Sequence, residues 1–93
     1  MPAIRSQSGA ITAAQLRAAR AFLGWSARQL ASKSGVSHSA IARAEKAKGW
    51  VRMHAQKLTA IRGTFEDHGI EFLGSNGVRH IPGDKVPSTD LGT

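Results

Sequence analysis

The sequence predicts a small, mainly α bundle of four to five helices that ends in a β-hairpin. Apolar residues recur at three- and four-residue intervals as far as about residue 68, the period of a helix buried on one side. Cap-forming Ser and Thr residues open these stretches, and glycines close them. After Gly69 the pattern changes to two short β-prone runs around a Gly-rich turn.

Residues 1–11 show no sustained period and read as a flexible N-terminal arm. Thr12, Ala13, Ala14 and Gln15 then take the form of a capping box, in which the first side chain and the fourth each satisfy the other's backbone N–H. Leu16, Ala19, Phe22 and Leu23 are the expected inward stripe of this helix, and Gly24 ends it. Ser26 to Gln29 repeats the capping box, opening a second helix to about Lys33 with Leu30 and Ala31 inward. Ser37 is placed to cap a third helix from His38 to about Ala47, anchored by Ile41 and Ala44. A fourth runs from near Arg52 to His68 on a seam of Met53, Leu58, Ile61 and Phe65, with Gly69 as its terminator. Gly63 within it costs roughly 1 kcal/mol relative to alanine, which suggests a kink or a close helix contact. Residues 70–73 and 78–81 flank a turn at 74–77 and form the hairpin, and residues 82–93 read as a disordered tail. The expected organisation is thus an arm over 1–11, a helical domain over 12–69, a hairpin over 70–81 and a tail over 82–93.

Composition narrows the chemistry. The 93 residues include no cysteine, which excludes disulfides, thiol catalysis and Cys-ligated zinc. His38, His54, His68 and His80 lack metal-ligand spacing, so no metal or other cofactor is expected. No nucleophile–base–orienter set and no phosphate-cradling glycine loop is present, so the expectation is a protein that is not an enzyme and has no evident small-molecule ligand. No apolar run is long enough to span a bilayer and the N-terminus lacks the layout of a signal peptide, so a cytoplasmic, membrane-free protein is expected.

Charge is polarised along the chain. Residues 1–63 hold eleven Lys or Arg against one acid, Glu45, a balance of +10. Residues 64–93 hold Arg79 and Lys85 against five acids, a balance of −3. A cationic front and a neutral-to-acidic rear suit a polyanion such as nucleic acid, although a merely solvated basic surface has the same composition.

The stretch 26–45 has the mechanics of two short helices joined by a tight turn. Ala31 is small where the helices cross, and Gly35 can take the positive φ that turns the chain. Val36 plugs the gap between them, and Ser37 caps the third helix so that the side chains after it project outward. Glu45 is expected to pair with Arg20 or Arg17. Trp25 and Trp50 are expected in core or interface packing, with base stacking as the alternative.

The run LASKSGVSHSAIARAE, residues 30–45, resembles the Xre family, the Cro/C1-type repressor domains of phages and bacteria. The similarity extends from Thr12 to about Phe65, and residues 69–73 and 77–79 resemble the ending of short alphaproteobacterial members. The resemblance implies a lambda-repressor-like helix-turn-helix fold that places its third helix in the major groove of double-stranded DNA. It implies base reading by His38, Ser39 and Arg43, with His38 left open between a base edge and the backbone. It implies phosphate contacts at Ser26, Arg28, Lys46 and Lys48, with Arg17 as a further candidate because Ala27 stands where the family often has glutamine.

A two-stranded hairpin is marginal alone, and pairing its edge with a second copy would extend the sheet. A homodimer through Ile70, Phe72, Val78 and His80 is therefore expected; the alternative is that the hairpin only covers its own core. No ligand-sensing or activating segment is legible, so repression at a near-palindromic operator is the expected mode. An antitoxin or accessory regulator that also binds a protein partner is the other reading.

Overall fold

The computed structural model describes residues 10–81, which form four helices and a two-stranded sheet. The helices are α1 (Ala13–Leu23), α2 (Ala27–Ser34), α3 (His38–Glu45) and α4 (Ala55–Asp67), followed by β1 (Ile70–Leu73) and β2 (Gly77–His80). This is the mainly α bundle with a C-terminal hairpin predicted above. The tail over 82–93 and most of the arm over 1–11 lie outside the described residues.

Both capping boxes form. Thr12 Oγ1 accepts from the Gln15 N–H at 3.2 Å while Gln15 Oε1 accepts from the Thr12 N–H at 2.9 Å. Ser26 and Gln29 exchange the equivalent bonds at 3.0 and 2.8 Å. Each cap satisfies two backbone donors that a helix start otherwise leaves orphaned. The core they deliver comprises Leu16, Leu30, Ile41, Ile61 and Phe65, all with no exposed surface, together with Val36, Leu58 and Ile70.

Five expectations change. Ile11, assigned to the flexible arm, is fully buried, and its carbonyl accepts from the Val51 N–H at 2.9 Å. Together with Ala13 N–H to Gly49 O at 2.8 Å, this pairs residues 11–13 with 49–51, a strand-like contact that no local pattern announces. Phe22, assigned to the inward stripe, is 52% exposed. It shares the side of α1 that carries Gln15, which faces the hairpin rather than the bundle, and its ring lies 5.9 Å from the His80 ring. Helix α3 ends at Glu45, two residues early, in the tighter bonds Lys46 N–H to Arg43 O and Ala47 N–H to Ala44 O. Helix α4 begins at Ala55, and Val51 and Met53 pack in the connection before it. Gly63 meets no neighbour within 4 Å of where a Cβ would stand, so it marks no close helix contact.

The hairpin pairs Ile70 with His80 and Leu73 with Gly77 around a three-residue turn, so β2 starts one residue earlier than expected. It is fastened to the bundle from both sides. Gln15, 1% exposed, donates Nε2–H bonds to the Gly74 and Gly77 carbonyls, each at 3.0 Å, and Thr12 Oγ1–H donates to Ser75 O at 2.7 Å. Gly69, at φ 90°, enters the hairpin where an added Cβ would collide with the Ile81 carbonyl oxygen; only glycine fits.

This attachment revises the expected dimer residues. Ile70 is 1% exposed inside the protomer's own core, so its side chain is withdrawn from any contact with a second copy. Phe72 sits edge-on to Phe65 at 6.0 Å under the Arg62 guanidinium, Val78 packs on the same core, and His80 lies against Phe22. What the hairpin leaves outward is the half-exposed Leu73 and the Glu71–Arg79 ion pair, whose side chains are 44% and 62% exposed.

Candidate nucleic-acid interface

The α2–α3 corner is built from the residues the sequence singled out. Gly35 takes φ 78° and its N–H closes α2 on Ala31 O at 2.9 Å. Val36, 4% exposed, seals the corner from below, and Ser37 Oγ accepts from the Ala40 N–H at 3.2 Å to start α3. With Ile41 and Ala44 buried, the opposite side of α3 has to face outward. His38, Ser39, Arg43 and Lys46 are exposed there, and with Ala42 they line a shallow concavity of about 480 Å³. Ser39 Oγ stands 3.4 Å from Ser37 Oγ. Among the described residues, Arg43 and Lys46 have no hydrogen-bond or ion-pair partner, so their charges are uncommitted within the fold.

The pose of α3 is fixed at its far end. Arg20 on α1 holds the Glu45 carboxylate in a two-pronged pair, Nε to Oε2 at 2.6 Å and Nη2 to Oε1 at 2.9 Å, and donates Nη1–H to Trp25 O at 2.8 Å. The carboxylate raises the Arg20 guanidinium pKa above its ordinary value, chiefly through the side-chain hydrogen bond. Arg17 adds Nη1–H to the Glu45 carbonyl at 2.6 Å. Glu45, the one acid among residues 1–63, is thereby neutralised away from the exposed face.

Residues 16–54 match the family model described as helix-turn-helix. The chain carries a helix-turn-helix domain of the Cro/C1 type, the Xre family. No curated protein and no solved structure matches the chain. The matched segment runs from the first buried leucine of α1 to the residue before α4, so it contains the whole corner and the exposed face of α3. This domain type is that of a DNA-binding regulator. No helix among the described residues is long and apolar enough to cross a membrane.

Within the helix-turn-helix domain the named residues do not all converge. His38, Ser39, Arg43 and Lys46 come together on α3. Ser26, the exposed cap of α2, and Arg28 beside it line no part of that concavity. Arg17 has one guanidinium N–H committed to Glu45. Lys48 lies around the corner in a second concavity of about 600 Å³, whose wall also includes Arg43, Trp50, Arg52, His54 and Lys57. Arg52, His54 and Lys57 were not expected at a DNA face, and Trp50 was given base stacking only as the alternative to packing. The available signal was the run of Arg43, Lys46, Lys48, Arg52 and Lys57, which is interrupted only by the neutralised Glu45.

Proposed function

We propose that the protein is a sequence-specific transcriptional regulator, in the simplest case a repressor, which binds a near-palindromic operator as a homodimer. The observation that carries this reading is the outward, cationic face of α3, where His38 and Ser39 project at a capped helix start and Arg43 and Lys46 continue the same face through the last turn and the C-cap. A recognition helix of this kind enters the major groove by its leading residues. Arg43 is the candidate for a two-pronged contact to guanine O6 and N7, Ser39 bonds a base or a phosphate, and Lys46 and Lys48 engage the backbone as point charges. Ser26, Arg28 and Arg17 are the proposed clamps from α1 and α2.

Dimerisation is proposed through the hairpin's backbone edge rather than through Ile70. An exposed strand edge carries unpaired N–H and C=O groups, and a second copy related by a twofold axis satisfies them reciprocally. Leu73, Phe72, Val78 and His80 then border the contact. Two copies arranged in this way present their α3 helices to half-sites about 34 Å apart. Occlusion of a promoter requires only occupancy, so repression is the mode this DNA face supplies by itself.

Selection of bound duplexes from a random pool tests the reading. The expected product is two inverted half-sites about one helical turn apart. Arg43→Ala should relax the preference at one base position, whereas Lys48→Ala should weaken all sequences alike. A pool with no enriched motif, or one that Arg43→Ala leaves unaltered, refutes the assignment.

A further inference from the structure

Asn76 is the one asparagine of the chain, and a glycine follows it. It is exposed at the end of the hairpin turn, and its side chain makes no hydrogen bond among the described residues. Asn-Gly is favoured in two-residue hairpin turns for its positive φ, but Gly77 is not left-handed. Space dictates it instead. A Cβ on Gly77 would stand 2.8 Å from the Leu73 carbonyl oxygen and 2.9 Å from the Leu73 Cβ. The fold therefore requires the dipeptide to keep its glycine.

Such a dipeptide carries its own nucleophile and its own electrophile. The Gly77 main-chain nitrogen and the Asn76 side-chain carbonyl carbon can close a five-membered ring, and no Cβ on Gly77 shields the nitrogen. Attack forms the N–Cγ bond of a succinimide and breaks the Cγ–Nδ2 bond. The amide proton leaves with the departing nitrogen as ammonia. Water then opens the ring at either carbonyl, which yields aspartate or an isoaspartate whose main chain runs through the former side chain.

The same turn holds a brake. Ile81 N–H donates to Gly69 O at 2.7 Å, and bonded pairs alternate along an antiparallel ladder. Glu71–Arg79 and Leu73–Gly77 are then the bonded pairs, and the Gly77 N–H is committed to Leu73 O. Gln15 holds the Gly74 and Gly77 carbonyls, and Thr12 holds Ser75 O. A nitrogen fixed in this ladder cannot swing onto the Asn76 side chain until the end of the hairpin opens.

We propose that Asn76–Gly77 is a spontaneous modification site, a succinimide-forming dipeptide whose rate is set by opening of the hairpin. The isoaspartyl product adds one carbon to the main chain inside the turn. The Leu73–Gly77 pair and the bonds from Thr12 and Gln15 cannot then all be kept, so the hairpin loosens from α1. The rear of the molecule also gains a negative charge. The chemistry is independent of DNA binding. Its consequence for assembly rests on the dimer reading above: a modified chain parts from its partner while its α3 face stays intact.

The test incubates the full chain at physiological temperature and follows intact mass, peptide maps and labelling by an isoaspartyl methyltransferase. The wild type should convert slowly, at residue 76 alone, with isoaspartate among the products. Asn76→Gln should stop the conversion, because its longer side chain must close a six-membered ring. Gln15→Leu removes the donor to both turn carbonyls and should accelerate conversion about fivefold or more, the rise in open hairpin expected from losing such bonds. Where that variant does not fold, urea below the unfolding midpoint opens the hairpin instead and should also accelerate conversion. Modified protein, separated by its added charge, should exchange hydrogen faster than its parent in β1 and β2 and equally in α3.

A folded chain that never converts while the urea-unfolded chain does would show that the turn is sealed, and the proposal would fall. A rate that neither Gln15→Leu nor dilute urea alters, or one equal in folded and unfolded chains, overturns the hairpin as the gate. Neither DNA binding nor the oligomeric state enters these readouts, so those readings stand or fall separately.

Discussion

The Arg20–Glu45 pair is the ion pair that, beside the Arg17 bond to the Glu45 carbonyl, ties the end of the proposed recognition helix to α1, so its removal is a direct test of how α3 is held. The side chains are 23% and 13% exposed. That places the pair between an exposed ion pair, worth about 0–1 kcal/mol, and a fully buried one, whose rupture costs about 3–5 kcal/mol. Arg20→Ala removes both prongs and also orphans the Trp25 carbonyl. Arg17, already bonded to the Glu45 carbonyl, is close enough to recover part of the charge interaction. A loss of about 2–3 kcal/mol follows, which for a chain of this size is a fall in Tm of about 8–24 °C. Glu45→Gln keeps an acceptor and should cost less, about 1–2 kcal/mol, since one neutral hydrogen bond to the guanidinium persists. Urea unfolding of both single variants and the double variant, followed by circular dichroism, yields the coupling energy. A value of about 1.5 kcal/mol or more supports the argument. A coupling under about 0.5 kcal/mol would show that packing of Ile41 and Ala44 alone sets the pose of α3.

Three further outcomes are expected. Gly63→Ala, in mid-helix with open space around its absent Cβ, should raise stability by about 0.5–1 kcal/mol in the same urea assay; a loss would reveal a contact that the structure does not contain. Gly69→Ala should destabilise by about 2 kcal/mol or more, because the left-handed φ and the Ile81 carbonyl both oppose a Cβ, and an unaltered unfolding midpoint would contradict this. Gln15→Leu should leave the turn carbonyls of Gly74 and Gly77 without their donor and cost about 1–3 kcal/mol. Hydrogen exchange should then quicken in β1 and β2 before it does in α3, and a uniform change across the chain would count against a local role for Gln15.

What the sequence made legible was what local pattern encodes. Thr12, Ser26 and Ser37 each sit at a fixed spacing from the helix they start, and Gly35 with Val36 encodes the corner in consecutive residues. The exposed face of α3 follows from Ile41 and Ala44 by helical geometry alone. What was not legible depended on contacts distant in sequence. Ile11 reads as the end of an arm until its pairing with 49–51 is known, and Phe22 belongs to the helical stripe until the hairpin takes that side of α1. Gln15 reads as a cap only, yet it is also the residue that orders the turn some sixty positions later. The second concavity was hidden for the same reason: Arg43 and Lys57 are brought together by the α3–α4 connection, whose path is fixed by backbone pairing with α1.

Thr12 links the two ends of the proposed machinery. Its hydroxyl donates to Ser75 O in the hairpin turn, and its backbone pairs with Trp50 in the loop that walls the second concavity. The element proposed to join two copies and the loop that carries the proposed phosphate contact Lys48 are therefore fastened to the same residue at the start of α1. In a dimer built through the hairpin edge, the spacing between the two DNA faces is then set by a short hydrogen-bonded path rather than by a mobile linker. A path of that kind lowers the ordering cost of engaging two half-sites at once, and it penalises half-sites at the wrong separation. Insertion of two or three base pairs between selected half-sites should accordingly cost about as much affinity as deleting one half-site. Tolerance of such insertions would mean that the hairpin does not rigidly join the copies, even if each α3 reads its own half-site as proposed.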